Sequence, residues 1–115
     1  MGCRQCGLTS KPQLCIISYM FEIRRTAEFI DWLTALGDVG ARARIAKRLD
    51  RLAQGNFGDA RSLGDGVSEL RFTFGPGYRV YYTVRGNVVV ILLWGGDKGS
   101  QRRDVERAKA MAKEL

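Results

Sequence analysis

Glu69-Leu70-Arg71-Phe72-Thr73-Phe74-Gly75-Pro76-Gly77-Tyr78-Arg79-Val80-Tyr81-Tyr82 reads as two strands folded about Gly75-Pro76-Gly77. Before the turn, Leu70, Phe72 and Phe74 alternate with Glu69, Arg71 and Thr73; after it, Tyr78, Val80, Tyr82 and Val84 alternate with Arg79, Tyr81 and Thr83. Successive side chains on a strand face opposite ways. A hairpin that turns its apolar set inward therefore gathers Arg71, Arg79, Tyr81 and Thr83 on its other face. A third apolar run, Val88 to Trp94, leads into Gly95-Gly96-Asp97-Lys98-Gly99-Ser100-Gln101, whose loop adds Lys98 at the strand end. This cationic, hydroxyl-bearing patch is the candidate site. Its competing reading is structural: Arg71 and Arg79 as cross-strand neighbours of Glu69 or Thr73, Tyr81 as a packed aromatic, Asp97 as a turn or helix cap, and Trp94 as core.

Working outward, Met20-Phe21-Glu22-Ile23-Arg24 alternates and predicts a first strand with Phe21 and Ile23 inward. Thr26 is placed to cap a helix with Glu28 in its first turn and an apolar stripe of Phe29, Ile30, Leu33 and Leu36, with Trp32 on the flank, ending at Gly37. Asp38 predicts a second cap, for a helix to about Ala53 with Ile45, Leu49 and Leu52 inward and Gly55 as its stop. The outer face of that helix carries Arg42, Arg44, Lys47, Arg48 and Arg51, either a solvated surface or a track for phosphates or an acidic partner. Gln54 to Gly66 reads as loop. Arg85-Gly86-Asn87 reads as a turn, and Val88 to Trp94, apolar at every position, as a strand internal to the sheet or covered on both sides. Gln101 to Leu115 closes the chain as a helix with Val105, Ala108, Met111, Ala112 and Leu115 apolar.

A length of 115 residues suits one domain. With 19 Lys and Arg against 12 Asp and Glu, the net charge of +7 points to a polyanion or an acidic protein as partner. There is no histidine, so catalysis must draw on Lys, Arg, Tyr, Asp or Glu, and the commonest metal ligand is missing. Cys3, Cys6 and Cys15 fall in the first nineteen residues, too few for a four-thiolate metal shell, and read as free thiols of a reducing cytosol. No apolar run approaches the roughly 20 residues that span a bilayer. Residues 1–19 show no periodicity and are expected to be an extension, loosely structured or adventitious, to a compact domain of residues 20–115. The domain alone keeps 17 basic groups against 12 acidic ones.

Taken together, the element order, Gly77-Tyr78-Arg79-Val80-Tyr81-Tyr82 and Gly95-Gly96-Asp97-Lys98-Gly99-Ser100-Gln101 resemble the RelE/ParE superfamily of bacterial toxins, and more closely the phage-derived addiction-module killer proteins related to HigB. Trp32-Leu33, Arg44-Ile45 with Arg48-Leu49, Gly55-Asn56-Phe57-Gly58-Asp59 and Gly66-Val67-Ser68-Glu69-Leu70-Arg71 carry the likeness across Met20 to Leu115. The resemblance implies an α+β fold of order β-α-α-β-β-β-α, with a largely antiparallel twisted sheet and two N-terminal helices packed on one face. It implies a type II toxin, neutralised by a protein antitoxin that usually carries a helix-turn-helix domain; the run Leu14 to Phe21, short for a signal-peptide core, separately points to a cytoplasmic protein. RelE-like members cleave mRNA in the ribosomal A site without metal or cofactor. ParE-like members poison DNA gyrase, so a non-catalytic interaction protein, either such a poison or an inactive toxin kept as an antitoxin partner, is the alternative.

For RNA cleavage, the arginine of the Gly-Tyr-Arg motif is Arg79, expected on the scissile phosphate with Arg71 beside it, and Lys98 matches the basic residue that assists from the last loop. Relatives with a late tyrosine or histidines have no counterpart here, where Gln101 and Asp104 are the nearest polar groups. The general base is open among Tyr81, Asp97 and Lys98. Arg44, Lys47, Arg48, Arg51, Gln101 and Arg102 are the candidate RNA contacts.

Overall fold

A computed structural model describes residues 20–86 and 88–115. The expected extension, its three cysteines and Asn87 of the expected turn lie outside the described residues. The strands are β1 (Glu22–Arg25), β2 (Ala60–Gly64), β3 (Val67–Arg71), β4 (Arg79–Arg85) and β5 (Val89–Gly96), and the helices are α1 (Ala27–Ala35), α2 (Val39–Ala53) and α3 (Gln101–Lys113). One five-stranded sheet runs β1-β5-β4-β3-β2, antiparallel except for the parallel pairing of β1 with β5.

Both N-terminal helices begin on the residues expected to cap them. Thr26 Oγ1 accepts the Phe29 N–H, and Asp38 Oδ1 accepts the Ala41 N–H. The Thr26 hydroxyl also lies 2.9 Å from the carbonyls of Leu92 and Leu93, so the start of α1 is tied directly to β5. On α2, Ala41, Ile45, Leu49 and Leu52 recur at helical spacing and are buried. On α1 the buried stripe is Phe29, with Trp32, Leu33 and Leu36 packed beside it. Ile30, expected in that stripe, is 46% exposed, because it lies about 100° around the helix from Phe29.

The two helices cover one face of the sheet, where Leu70, Phe72, Val80, Tyr82, Val90 and Leu92 complete the larger core. The other face carries a second core, in which α3 lays Ala108 and Ala112 on Val67, Tyr81 and Leu93. Coverage on both sides explains the unbroken apolar run of β5. Alternation sends Val90 and Leu92 to the larger core and Ile91 and Leu93 to the second, and a bulge, where Tyr82 pairs with Leu92 but Tyr81 with Trp94, keeps Trp94 on the second side as well.

The expected order lacked one strand. Ala60–Gly64, expected to be loop, pairs with β3 through a two-residue turn at Asp65-Gly66, both with positive φ (56° and 77°). An Asp-Gly pair in that conformation matches the right-handed twist of flanking strands. Among the described residues no helix is long and apolar enough to cross a membrane.

Candidate functional site

The register of the sheet assembles the site. Arg71, last residue of β3, stands directly opposite Arg79, first residue of β4, and Arg79 in turn faces Gly96 of β5. Beyond Gly96 the chain makes a single 3-10 turn, Lys98–Ser100, capped by the Asp97 carboxylate, which accepts the N–H groups of Gly99 (2.8 Å) and Ser100 (3.1 Å). That turn docks on the hairpin loop, where the Lys98 N–H donates to the Pro76 carbonyl. Gly77 is required at the junction: its φ is +77°, and a Cβ there would sit 3.2 Å from Lys98 Cβ. The result is an open cleft of about 500 Å³, to which Arg71, Arg79 and Lys98 all contribute, with Asp59, Phe72, Thr73 and the Gly75-Pro76-Gly77 loop completing its lining.

Like charges directly opposite one another on paired strands repel. Here each arginine has its own carboxylate. Asp59 Oδ1 accepts from Arg71 Nε (3.2 Å) and Nη2 (3.0 Å), in an exposed pair at the cleft wall. Glu69 lies behind Arg79, its Oε1 3.8 Å from Nε, and is itself fully buried. Both Glu69 oxygens accept from Gln101 Nε2, at 3.0 and 3.2 Å. Arg79 Nη1 donates to the carbonyls of Gly77 and Tyr78. Its side chain is 11% exposed, so Arg79 forms the floor of the cleft, whereas Arg71 and Lys98 stand at the rim.

Residues 31–115 match the family described as Phage derived protein Gp49-like (DUF891). The chain belongs to the Gp49-like family. A Haemophilus influenzae protein described as uncharacterized is 48% identical over 94 residues, covering 82% of this chain and 95% of its own. The fold is that of the E. coli toxin RelE: a free-state arginine-to-alanine double mutant of it superposes with a TM-score of 0.64 at 17% identity, over 84% of this chain and 98% of that one. The Gp49-like family is a RelE-family toxin group, and membership together with the fold supports a toxin of the toxin–antitoxin kind.

On this Gp49-like scaffold the expected patch is cut in half. Arg71, Arg79 and Lys98 share the cleft, but Tyr81, expected with them, lies in the core under α3, and Thr83 is buried with its hydroxyl donating to the Gly66 carbonyl (2.7 Å). Burial, and after it the Glu69 and Asp104 carboxylates, push the Tyr81 hydroxyl well above the ordinary phenol range, and its oxygen has no hydrogen-bond partner among the described residues. Tyr81 therefore cannot reach a substrate in the cleft. Asp97 is occupied as the cap of the Lys98 turn and does not line the cleft. Gly95-Gly96 has no positive φ; a Cβ at Gly95 would overlap the Trp32 indole and one at Gly96 the Asp104 carboxylate. Their smallness lets α1 and α3 approach β5 from opposite sides.

The cations of α2 also divide. Arg48 is structural: Nη1 donates to the Arg71 carbonyl (2.9 Å), Nη2 to the Asp59 carbonyl (3.0 Å), and its guanidinium lies 4.8 Å from the centre of the Phe72 ring. Arg44 stacks on Phe74, and with Lys47 and Arg51 it lines a groove of about 160 Å³ beside Phe72 and Phe74. A hollow of about 330 Å³, lined by Arg48, Arg51, Asp59 and Arg71 among others, joins that groove to the cleft. Arg102 is exposed on α3 and lines none of these, and the Gln101 amide is turned inward to Glu69.

Asp59 and Glu69 were missed as site residues. A signal existed for Glu69, since strand alternation places it on the face of Arg71. Asp59 comes from a loop twelve residues before Arg71, and only the fold shows that Arg48 clamps the two segments together.

Proposed function

We propose that the chain is the toxin of a type II pair and acts in the cytoplasm as a ribosome-dependent, metal-independent mRNA endoribonuclease, held in check by a protein antitoxin with a helix-turn-helix domain. One observation carries the proposal: the side chains of Arg71, Arg79 and Lys98, from two strands and a turn, open into one cleft of a size for a nucleotide linkage. Cleavage of RNA by its own 2′-hydroxyl passes through a phosphorane-like transition state richer in negative charge than the substrate. Preorganised cations act on that added charge, and are worth about 3–4 kcal/mol per donor in sites that exclude water and less in a cleft open to it. Arg79, held from behind, would meet the phosphate as a fixed donor. Arg71 would follow by exchanging Asp59 for a phosphate oxygen, and Lys98 would supply the third charge or the proton for the leaving 5′-oxygen.

With Tyr81 sealed off and Asp97 committed to its cap, Lys98 is the remaining cleft residue of the three expected to move a proton. Alignment of the substrate by the ribosome would carry much of the barrier reduction, since proximity and orientation reach about 7–11 kcal/mol in favourable cases. The same scarcity favours the second reading, a non-catalytic toxin that poisons gyrase or serves only as an antitoxin partner: the cleft holds three cations and one carboxylate, Asp59, already bonded to Arg71. Induced expression followed by mapping of RNA 5′ ends decides between them. The nuclease predicts new ends within translated frames, abolished by Arg79→Ala and Lys98→Ala. Growth arrest with intact messages and accumulating DNA breaks would move the assignment to gyrase.

A further inference from the structure

We propose that Glu69 and Gln101 are positioning residues, which together aim the Arg79 guanidinium into the cleft and tie it to the turn that carries Lys98. The catalytic part of this proposal rests on the nuclease reading; the positioning part does not.

Glu69 is completely buried, where a carboxylate is tolerated only against cations and hydrogen-bond donors. It has one of each. Gln101 Nε2 bridges both of its oxygens, and Arg79 Nε lies 3.8 Å from Oε1 with no hydrogen-bond partner of its own among the described residues. The guanidinium is thus bounded on two edges. Its Nε edge meets the Glu69 charge, its Nη1 edge meets the Gly77 and Tyr78 carbonyls, and Nη2 makes no bond to the described residues. Because Arg71 faces Arg79 directly across the strands, the diagonal Glu69 is also the charge that keeps Arg79 from being driven away from its neighbour. Without it, the two guanidinium groups would share one cleft whose lining carboxylate, Asp59, is bonded to Arg71 alone.

Gln101 extends the linkage. It is the first residue of α3 and follows immediately after the Lys98–Ser100 turn, so its grip on Glu69 anchors that turn to β3. A side chain expected to reach for RNA is instead used inside the protein. Arg79 and Lys98 are thereby referenced to one buried carboxylate.

The test uses the full-length chain with Gln101→Ala and Glu69→Gln. In nitrogen-15 NMR spectra the Arg79 Nε–Hε signal, assigned by its loss in Arg79→Lys, should shift and exchange faster with water in both variants. On programmed ribosomes kcat should fall about 10- to 100-fold with KM nearly unchanged, the effect of a misaimed group rather than of lost binding. A purely structural role would lower the melting temperature and leave both the Arg79 signal and kcat per folded molecule at wild-type values. That result overturns the proposal. If the wild-type chain cleaves nothing, the Arg79 signal alone decides: a shift in Gln101→Ala supports positioning while the nuclease reading fails, and an unchanged signal refutes positioning. If Glu69→Gln does not fold, Gln101→Ala, which removes no charge, carries both measurements.

Discussion

Replacing Asp59 by Asn tests whether an anion binds where Arg71 is now paired. The Asp59 carboxylate holds Arg71 by two bonds to one oxygen, at 3.2 and 3.0 Å, and the two side chains are 46% and 38% exposed. An ion pair this exposed contributes about 0–1 kcal/mol, so the variant should keep its fold with a urea midpoint close to wild type. Asn preserves volume and an acceptor, and Arg48 still holds the backbone carbonyl of the residue. A phosphate bound in the cleft would stand roughly 5 Å from the Asp59 charge, a repulsion of about 1 kcal/mol in water-like surroundings and about 3 kcal/mol at an effective dielectric of 20. The cleft is open, so the lower figure applies, and removing the charge should tighten binding about 4- to 10-fold at low salt. Fluorescence anisotropy with a labelled 2′-O-methyl oligoribonucleotide, which resists cleavage, measures this directly. The gain should shrink at about 0.15 M salt, where the Debye length falls to about 8 Å. Equal or weaker binding by a folded Asp59→Asn protein would mean that the anion does not lie at Arg71, and the cleft would lose its role as the RNA site.

Four further outcomes follow from the packing. Tyr81→Phe removes a buried hydroxyl without a partner among the described residues and should leave the protein as stable or about 1 kcal/mol more stable by urea titration. Burial raises the Tyr81 and Tyr82 phenols in the folded chain, so the stability tied to their protonated forms is complete below about pH 10 and is lost as pH rises further; wild type should weaken above about pH 10, and Tyr81→Phe should weaken less steeply. Gly96→Ala should cost at least about 2–3 kcal/mol in a thermal melt, because its methyl group would overlap Asp104 against the sheet, whereas Gly37→Ala, with none of the described residues within 4 Å of the added carbon, should be close to neutral. Arg48→Lys should cost about 1–3 kcal/mol, since an ammonium cannot fork to the Arg71 and Asp59 carbonyls while lying over Phe72, and Lys47→Ala should stay within about 0.5 kcal/mol.

Period and punctuation made most of the fold legible. Thr26 and Asp38 stand ahead of stripes of helical spacing, and Gly75-Pro76-Gly77 parts two alternating runs, so the helix starts and the central hairpin follow from local chemistry. Strand β2 was hidden because Ala60-Arg61-Ser62-Leu63-Gly64 has a single large apolar residue and lies at the edge of the sheet, mostly exposed. Its one local sign was Asp65-Gly66. The convergence of Arg71, Arg79 and Lys98 was also legible, since alternation puts the arginines on one face and the last loop returns to the same end of the hairpin. The fates of Tyr81 and Thr83 were not. They share the parity of Arg79, but parity reports only a face, and which part of that face is covered depends on where α3 lies.

That placement also locates the cleft. The chain leaves β5 at Gly96, needs only Asp97 and the short Lys98–Ser100 turn, and enters α3 at Gln101. The helix then runs back over the sheet, placing Ala108 and Ala112 on the second core and bringing the Ala112 carbonyl to Arg85 at the far end of β4. It covers Tyr81 and, through Asp104, the Gly96 end of the next register row, but leaves the Arg79 and Arg71 end of that row facing the cleft. Two opposed arginines in one row of a sheet would be a liability beneath a helix, because burial removes the water that screens them. At the uncovered end they are accessible to solvent and to an anion, with Glu69 at the boundary between the covered and open halves. The first residue of α3, Gln101, binds that boundary carboxylate, so the point at which the second core stops is also the point from which the cationic cleft is held in shape.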